Sequence, residues 1–199
     1  MDVSRIRALR GPNLWSRHTA IQAIVTCTGA ECAIADLPGF ETRLRARFPE
    51  LGELIPTDHL DTVSMAHALE FAALGLQAQA GCPVTFSRTA QTVENGVYQV
   101  VVEYTEEDVG RIAFERAEQL CRAALDDTPF DLDATLKELR ELDEDIRLGP
   151  STGAIVAAAV ARGIPFRRLT QGSLVQFGWG SKQKRIQAAE TSHTSAIAE

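Results

Sequence analysis

His67 and Glu70 are the residues best suited to chemistry, and they stand three positions apart in the segment His67-Ala68-Leu69-Glu70-Phe71. Zinc hydrolases of the inverted type use H-x-x-E-H, because two histidines four residues apart lie on one helical face and both reach the metal. Here Phe71 replaces the second histidine, and a benzyl ring has no lone pair. The degenerate motif at His67 and Glu70 lacks the chelate, so we assign no catalytic residue and no metal ligand. A slow metallohydrolase that recruits an unexpected third ligand stays an alternative.

Other acidic and histidine residues offer weaker candidates. Glu103, Glu106 and Glu107 could supply a distant carboxylate ligand, although Glu106 and Glu107 are already explained as the negatively charged first turn of a helix. The remaining histidines have no partner at ligand spacing: His18, His59 and His193. The chain has no phosphate-binding loop of the G-x-x-x-x-G-K-[ST] type, no G-x-S-x-G elbow and no dinucleotide fingerprint. We therefore assign no cofactor-binding residue.

Two further groups of residues could contact anions. The segment 149–153, Gly-Pro-Ser-Thr-Gly, precedes a helix and could bind an anion on its free amides, but a simple helix cap is the favoured interpretation. The C-terminal part is basic, which suits carboxylate or phosphate contacts and equally protects exposed strand edges from pairing. These basic residues are Arg167, Arg168, Lys182, Lys184 and Arg185.

The composition is that of a globular protein, with 45% hydrophobic and 24% charged residues. A net charge of -7 argues against a dedicated nucleic-acid binder. The N-terminus lacks the pattern of a secretion signal and no apolar run is long enough to span a bilayer, so we expect a cytoplasmic protein. The four cysteines form no C-x-x-C pair. Cys27 and Cys32 are close enough for a disulfide, but unreactive thiols are the favoured interpretation in that compartment.

Several elements must position these residues. Turn residues and alternating apolar residues predict strands over 3–9 and 21–27, and apolar spacing predicts a short surface helix over 40–48. A stronger helix over 61–80 carries His67 and Glu70, with Asp61 or Thr62 as its cap and Gly81 as its end. The turn Glu94-Asn95-Gly96 predicts a hairpin between strands over 84–92 and 97–105.

The second half is predicted to be mainly helical. Thr105 caps an amphipathic helix, a second one covers 132–146, and an Ala-rich helix runs from Ser151 to Arg162 before a strand over 166–169. The fold class is α+β, a mainly antiparallel sheet with packed helices followed by a short α/β fragment. We place the domain boundary between 1–148 and 149–199. The segment 173–199 contains strands with no visible partners, which is typical of an incomplete domain.

Five separate blocks in register resemble the N-terminal region of cyanophycin synthetase, and together they cover essentially the whole chain. They are Arg10-Gly11-Pro12-Asn13-Leu14-Trp15-Ser16, Gly81-Cys82-Pro83-Val84-Thr85-Phe86 with Arg88-Thr89, Val97-Tyr98 through Glu103-Tyr104 with Glu106, Leu148-Gly149-Pro150-Ser151-Thr152, and Gln176-Phe177-Gly178-Trp179-Gly180 with 183–188. The resemblance implies a bacterial, ATP-dependent ligase that makes multi-L-arginyl-poly-L-aspartate, a nitrogen store.

In that family an ATP-grasp domain adds aspartate to the backbone, using ATP and magnesium, and a Mur-ligase-like domain joins arginine to each side chain. The resemblance implies that this chain is the polymer-holding N-terminal domain plus the first strands of the ATP-grasp region. The fragment alone is then non-catalytic and needs no cofactor. Its partners are the cyanophycin polymer and the catalytic domains, in an enzyme expected to be a homo-oligomer without nucleic-acid or membrane partners.

Some family members carry a metal-dependent hydrolase site in this domain that cuts the polymer into primers. His67 and Glu70 match two positions of that motif, whereas Phe71 and Gly75 stand where such members have a histidine and an acidic residue. The resemblance therefore implies a domain that kept the fold and lost the metal. A structural role, in which the amphipathic helices dock the catalytic domains or neighbouring subunits, stays open.

Overall fold

A four-stranded antiparallel sheet forms the base of the fold in this computed structural model, which describes residues 1–56, 62–170, 172–188 and 190–191. Its strand order is β1-β2-β4-β3. The strands are β1 (Asp2–Leu9), β2 (Ala20–Thr26), β3 (Ser87–Gln91) and β4 (Val97–Glu103). The hairpin predicted between β3 and β4 is confirmed, and Gly96 adopts the positive φ of 76° that its turn requires.

Four helices pack with this sheet around one hydrophobic core. They are α1 (Phe40–Arg47), α2 (Met65–Ala80), α3 (Glu107–Asp126) and α4 (Leu132–Ile146). The predicted surface helix α1 buries Phe40 and Leu44 completely, and Phe48 follows it into the same core. Full burial of such side chains stabilises a fold by about 1.5–3 kcal/mol each. Helix α2 contacts α3, α4, β3 and β4, so it lies at the centre of the domain.

The helix starts differ from their predicted positions. Ser64, and not Thr62, is the N-cap of α2, while Asp61 lies outside the described residues. Glu106, and not Thr105, is the N-cap of α3. At α2 the capping box between Ser64 and His67 sets the start of the helix, whereas at α3 the side chain of Glu106 makes no capping hydrogen bond. The predicted end of α2 is confirmed, since Gly81 takes a left-handed conformation with φ of 101°.

The C-terminal strands do have partners, which corrects the expectation of unpaired strands. Helix α5 (Pro150–Ala161) leads into a second four-stranded antiparallel sheet of order β5-β6-β7-β8. Its strands are β5 (Phe166–Arg168), β6 (Leu174–Phe177), β7 (Lys184–Gln187) and β8 (Glu190–Thr191). A small core of Val156, Val175 and Ile186 joins α5 to this sheet. The α+β class with mainly antiparallel pairing is therefore confirmed.

The cysteines are free thiols, so the alternative of a Cys27–Cys32 disulfide is wrong. Burial raises the pKa of Cys27 to about 12 and that of Cys82 to about 11. Burial likewise raises the pKa of Cys121 to about 12. Thiols with such pKa values are almost entirely protonated at neutral pH and react slowly. Among the described residues, none of the helices combines the length and the apolar character that crossing a bilayer requires.

Candidate functional site on helix α2

His67 is fully buried at the first turn of α2 and takes part in a capping box. The main-chain N–H of Ser64 donates to His67 Nδ1 at 3.1 Å, and Ser64 Oγ lies 2.9 Å from the same nitrogen. The usual partner at this third helical position is a glutamate or glutamine, whose side chain reaches back to the N-cap N–H. Here the Nδ1 atom of the His67 imidazole accepts the N-cap N–H instead. The ring also packs edge-on against Tyr98, with 5.9 Å between centroids.

This hydrogen bond determines which nitrogen of the neutral imidazole carries the proton. A main-chain N–H can only donate, so Nδ1 must be an acceptor and the proton of the neutral ring must lie on Nε2. A histidine that binds a metal through Nε2 normally carries its proton on Nδ1 and donates it to an outer partner. The observed capping contact is the opposite arrangement. Metal binding at Nε2 would therefore require the ring to give up the Ser64 N–H.

Glu70 lies one turn further along α2 and is also fully buried. Ser87 Oγ, on β3, donates to Glu70 Oε1 at 2.7 Å, so this carboxylate connects the helix to the sheet. Thr89 on the same strand is buried and contacts the carbonyl oxygen of Ala66 at 3.5 Å. His67 and Glu70 are thus brought together, as the helical spacing predicted, at the interface between α2 and the β3–β4 hairpin.

The two positions that depart from the hydrolase motif are occupied by packing contacts. Phe71 is half-buried against the hydrophobic core. A Cβ at Gly75 would lie 3.1 Å from Phe48 Cε1 and 3.2 Å from its Cζ, closer than ordinary van der Waals contact. Because Phe48 is fully buried, it has little room to move. The space beside position 75 is therefore taken by an aromatic ring, and among the described residues no group of three potential ligands completes a metal site with His67 and Glu70.

Glu103 has a different role from the distant metal ligand considered for it. One of its oxygens accepts the main-chain N–H groups of Thr85 and Phe86 at 2.7 and 2.8 Å. The other lies 2.7 Å from Nδ1 of His18, which stacks on Phe86 with 6.0 Å between ring centroids. The sequence indicated no partner for His18, because the pair joins the loop before β2 to the end of β4, far apart in the chain. The arrangement fixes the loop before β2 against the start of β3.

Glu106 and Glu107 form two separate ion pairs. Arg168 of β5 contacts Glu106 Oε2 at 3.0 Å and also donates to the carbonyl oxygen of Ile146, so it joins the second sheet to the first domain. Burial raises the pKa of Glu106, and Arg168 opposes that shift. The hydrogen bond from Arg10 lowers the pKa of Glu107. Neither carboxylate is explained by the helix dipole alone.

The remaining candidates are not gathered into a site. His59 and His193 lie outside the described residues. Across the ranges that the structure describes, no three side chains of His, Cys, Asp or Glu lie close enough together to hold a metal ion. At the start of α5, Gly149 is the N-cap and no side chain makes a capping hydrogen bond, while Thr152 Oγ1 donates to the carbonyl oxygen of Ala188 at 3.2 Å and so joins the helix to the turn after β7.

Comparisons with known proteins place these observations in a family. The model of the cyanophycin synthase-like N-terminal domain matches residues 24–126, more than half of the chain. The cyanophycin synthetases of Trichormus variabilis and Nostoc sp. are each 38% identical to it over 213 residues, covering 99% of this chain and 24% of their own length. That of Crocosphaera subtropica is 35% identical, covering 100% of this chain and 24% of its own length.

The chain therefore spans about a quarter of the length of the curated relatives it matches. The match includes His67 and Glu70 on α2, the β3–β4 hairpin and the whole of α3. Taken with the fold, these findings show that the chain belongs to the cyanophycin synthase-like N-terminal domain family.

Proposed function

We propose that this chain holds the cyanophycin polymer for a cyanophycin synthetase and does not cut it. Cyanophycin carries one carboxylate and one guanidinium group per dipeptide. A surface with charges of both signs can hold such a polymer through many weak contacts, each worth little alone. In the parent protein, an ATP-grasp domain and a Mur-ligase-like domain would perform ATP-dependent ligation of aspartate and arginine. Residues 149–199 would begin the ATP-grasp region, and the enzyme would work in the cytoplasm.

The observation that best supports a chain that does not cut the polymer is the capping contact of His67. Its Nδ1 accepts the Ser64 N–H, and Glu70 accepts the Ser87 hydroxyl, so both motif residues stabilise the local fold. A general base must reach its water, and a metal ligand must offer a free lone pair. Both residues are also fully buried. The helix therefore favours a structural use of the motif over a catalytic one.

Binding and cleavage can be measured in one experiment with the intact chain. Purified cyanophycin is incubated with the protein at low salt, with and without added zinc. Co-sedimentation reports binding, and mass spectrometry of the supernatant reports released dipeptides or shorter polymer. We expect retention without shortening in both conditions. A chain that fails to bind the polymer at low salt refutes polymer holding, and zinc-dependent shortening favours the metallohydrolase instead.

A docking role is the second candidate, because α5 offers an exposed apolar surface. The helix contains no charged residue, and Ile155 and Val160 are 41% and 53% exposed. In the full-length enzyme, Ile155→Gln with Val160→Gln should weaken assembly if α5 docks a catalytic domain or neighbouring subunit. Size-exclusion chromatography with light scattering measures that effect. Loss of assembly with unchanged polymer affinity favours docking, whereas unchanged assembly removes this candidate.

A further inference from the structure

The face of the first sheet that points away from α2 carries a row of residues with an arginine at each end. Ser87 and Thr89 of β3 contact α2, so Arg88 between them points to the opposite face. Directly paired residues continue from Arg88 across all four strands, in the order Arg88, Val101, Gln22 and Arg7. Because directly paired residues share one face of a sheet, these four form a continuous line, which we call the outer row.

A β-bulge in β1 places Arg7 in the outer row. Arg5 and Ile6 both lie opposite Ala23 of β2, so the pairing shifts by one residue at this point. With regular alternation, Arg7 would share the face of Val3, which packs against the hydrophobic core. Arg5 takes a left-handed φ of 51°, which is unfavourable for a residue with a Cβ. The fold therefore accepts local strain in a bulge whose effect is to turn Arg7 outward.

Hydrogen bonds on this face leave donors unused. Arg7 Nε donates to Gln22 Oε1 at 2.8 Å, and Gln22 Nε2 donates to Gln99 Oε1 at 2.9 Å. Gln99 lies on the same face, two residues before Val101 on β4. Among the described residues, the amide nitrogen of Gln99 and the terminal guanidinium nitrogens of Arg7 have no acceptor. Since guanidinium and amide N–H groups can only donate, this surface favours a ligand that accepts hydrogen bonds.

The two arginines of the outer row are exposed and lack a carboxylate partner. Neither Arg7 nor Arg88 forms an ion pair within the described part of the chain, although the net charge is -7. Arg88 lies over the ring of Trp15, 6.0 Å from its centroid, and Arg7 is held by Gln22. Both guanidinium groups are thus positioned before a ligand binds, which lowers the entropy cost of binding.

The spacing of these arginines fits the repeat of an extended polymer. Arg7 and Arg88 lie three strand spacings apart, about 14 Å. Along an extended peptide backbone, side chains four residues apart point the same way and lie about 13 Å from each other. In cyanophycin each aspartate side chain is joined to an arginine, so the free carboxylate of every branch is the α-carboxylate of that arginine. Two such carboxylates, four aspartates apart, can therefore reach both ends of the outer row together.

We propose that the outer row binds the arginine α-carboxylates of cyanophycin, with one carboxylate paired to Arg7 and another of the same polymer chain paired to Arg88. A guanidinium group and a carboxylate form a two-point hydrogen-bonded pair. The polymer's own guanidinium groups lie at the ends of flexible stems, so they can point to solvent. This inference rests on the proposed polymer-holding function and names the surface that performs it.

The test compares two double variants of the intact chain. Arg7→Gln/Arg88→Gln removes both charges of the outer row. The control, Arg140→Gln/Arg162→Gln, removes two exposed arginines of α4 and of the end of α5, which likewise form no ion pair among the described residues. Fluorescence anisotropy measures affinity for soluble cyanophycin segments long enough to span the outer row, with natural α-carboxylates and with these groups converted to carboxamides. Urea unfolding verifies that both variants fold.

We expect the outer-row variant to bind natural segments about five- to tenfold more weakly, since one exposed ion pair contributes roughly 1.5- to 5-fold. The control should stay within about twofold of wild type. Against carboxamide segments, the outer-row variant should bind within about twofold of wild type, because no carboxylate is left to pair.

Three results would overturn the outer row while polymer holding stands. They are equal losses in both double variants, no loss in the outer-row variant, and a loss in the outer-row variant that is as large against carboxamide segments as against natural ones. Wild-type protein that binds no polymer refutes polymer holding and the outer row together.

Discussion

Replacement of His67 by alanine and by glutamine distinguishes a capping histidine from a metal ligand. Alanine removes the acceptor of the Ser64 N–H, and loss of such a cap costs about 0.5–2 kcal/mol. It also leaves a cavity beside Tyr98 in a fully buried position, which costs about 2–3 kcal/mol. We therefore expect His67→Ala to lower the free energy of unfolding by about 3–5 kcal/mol, a large share of the 5–15 kcal/mol typical of a domain.

Replacement by glutamine distinguishes the capping role of His67 from a metal-binding role. It is a standard capping-box residue at this position, so it can accept the Ser64 N–H and fill most of the space. We expect His67→Gln to lose only about 1–2 kcal/mol. A bound zinc ion would instead stabilise the wild-type protein by about 2.7 kcal/mol at a concentration one hundred times its dissociation constant, and both variants would lose that gain.

Urea unfolding followed by circular dichroism, with zinc or with EDTA, measures these free energies. The capping role predicts that EDTA leaves wild-type stability unchanged and that glutamine restores most of what alanine loses. If EDTA destabilises the wild-type protein and glutamine is as harmful as alanine, the argument from the capping contact is wrong.

Three further outcomes follow from the described contacts. Gly75→Glu should destabilise the fold by about 1–3 kcal/mol in urea unfolding, because its Cβ meets the buried ring of Phe48; an unchanged midpoint contradicts that packing. Iodoacetamide at pH 8 should modify half-buried Cys32 first, as peptide mass mapping would reveal; early labelling of a buried thiol opposes this prediction. The buried thiols are Cys27, Cys82 and Cys121. Arg10 lowers the pKa of Glu107, so that stabilisation is complete above the unfolded pKa of about 4.3 and is lost as pH falls through the folded value. The difference in unfolding free energy between wild type and Arg10→Gln should therefore shrink below about pH 4. A difference that grows there contradicts a lowered pKa of Glu107.

The sequence was most informative where structure is local. The Asn95-Gly96 turn, the left-handed Gly81 and the apolar stripe of α4 each depend on residues a few positions apart, and each prediction is confirmed. The α+β class followed from these elements, because strands joined by short turns pair antiparallel.

Long-range pairs were not predictable in the same way. Glu103 was considered as a metal ligand, but it binds His18, which lies in the loop before β2. Glu106 was assigned to the helix dipole, but it faces Arg168 across the boundary between the two sheets. No spacing rule connects such residues, since only the packed fold brings them together. The capping role of His67 was missed because its partner, Ser64, follows two other candidate caps.

The most direct test of polymer holding without cleavage is isothermal titration of the intact chain with short cyanophycin segments in the presence of zinc, followed by mass spectrometry of the recovered segments. The account predicts saturable binding and recovery of segments at their original length. Stoichiometric zinc in the recovered protein together with shortened segments would contradict it.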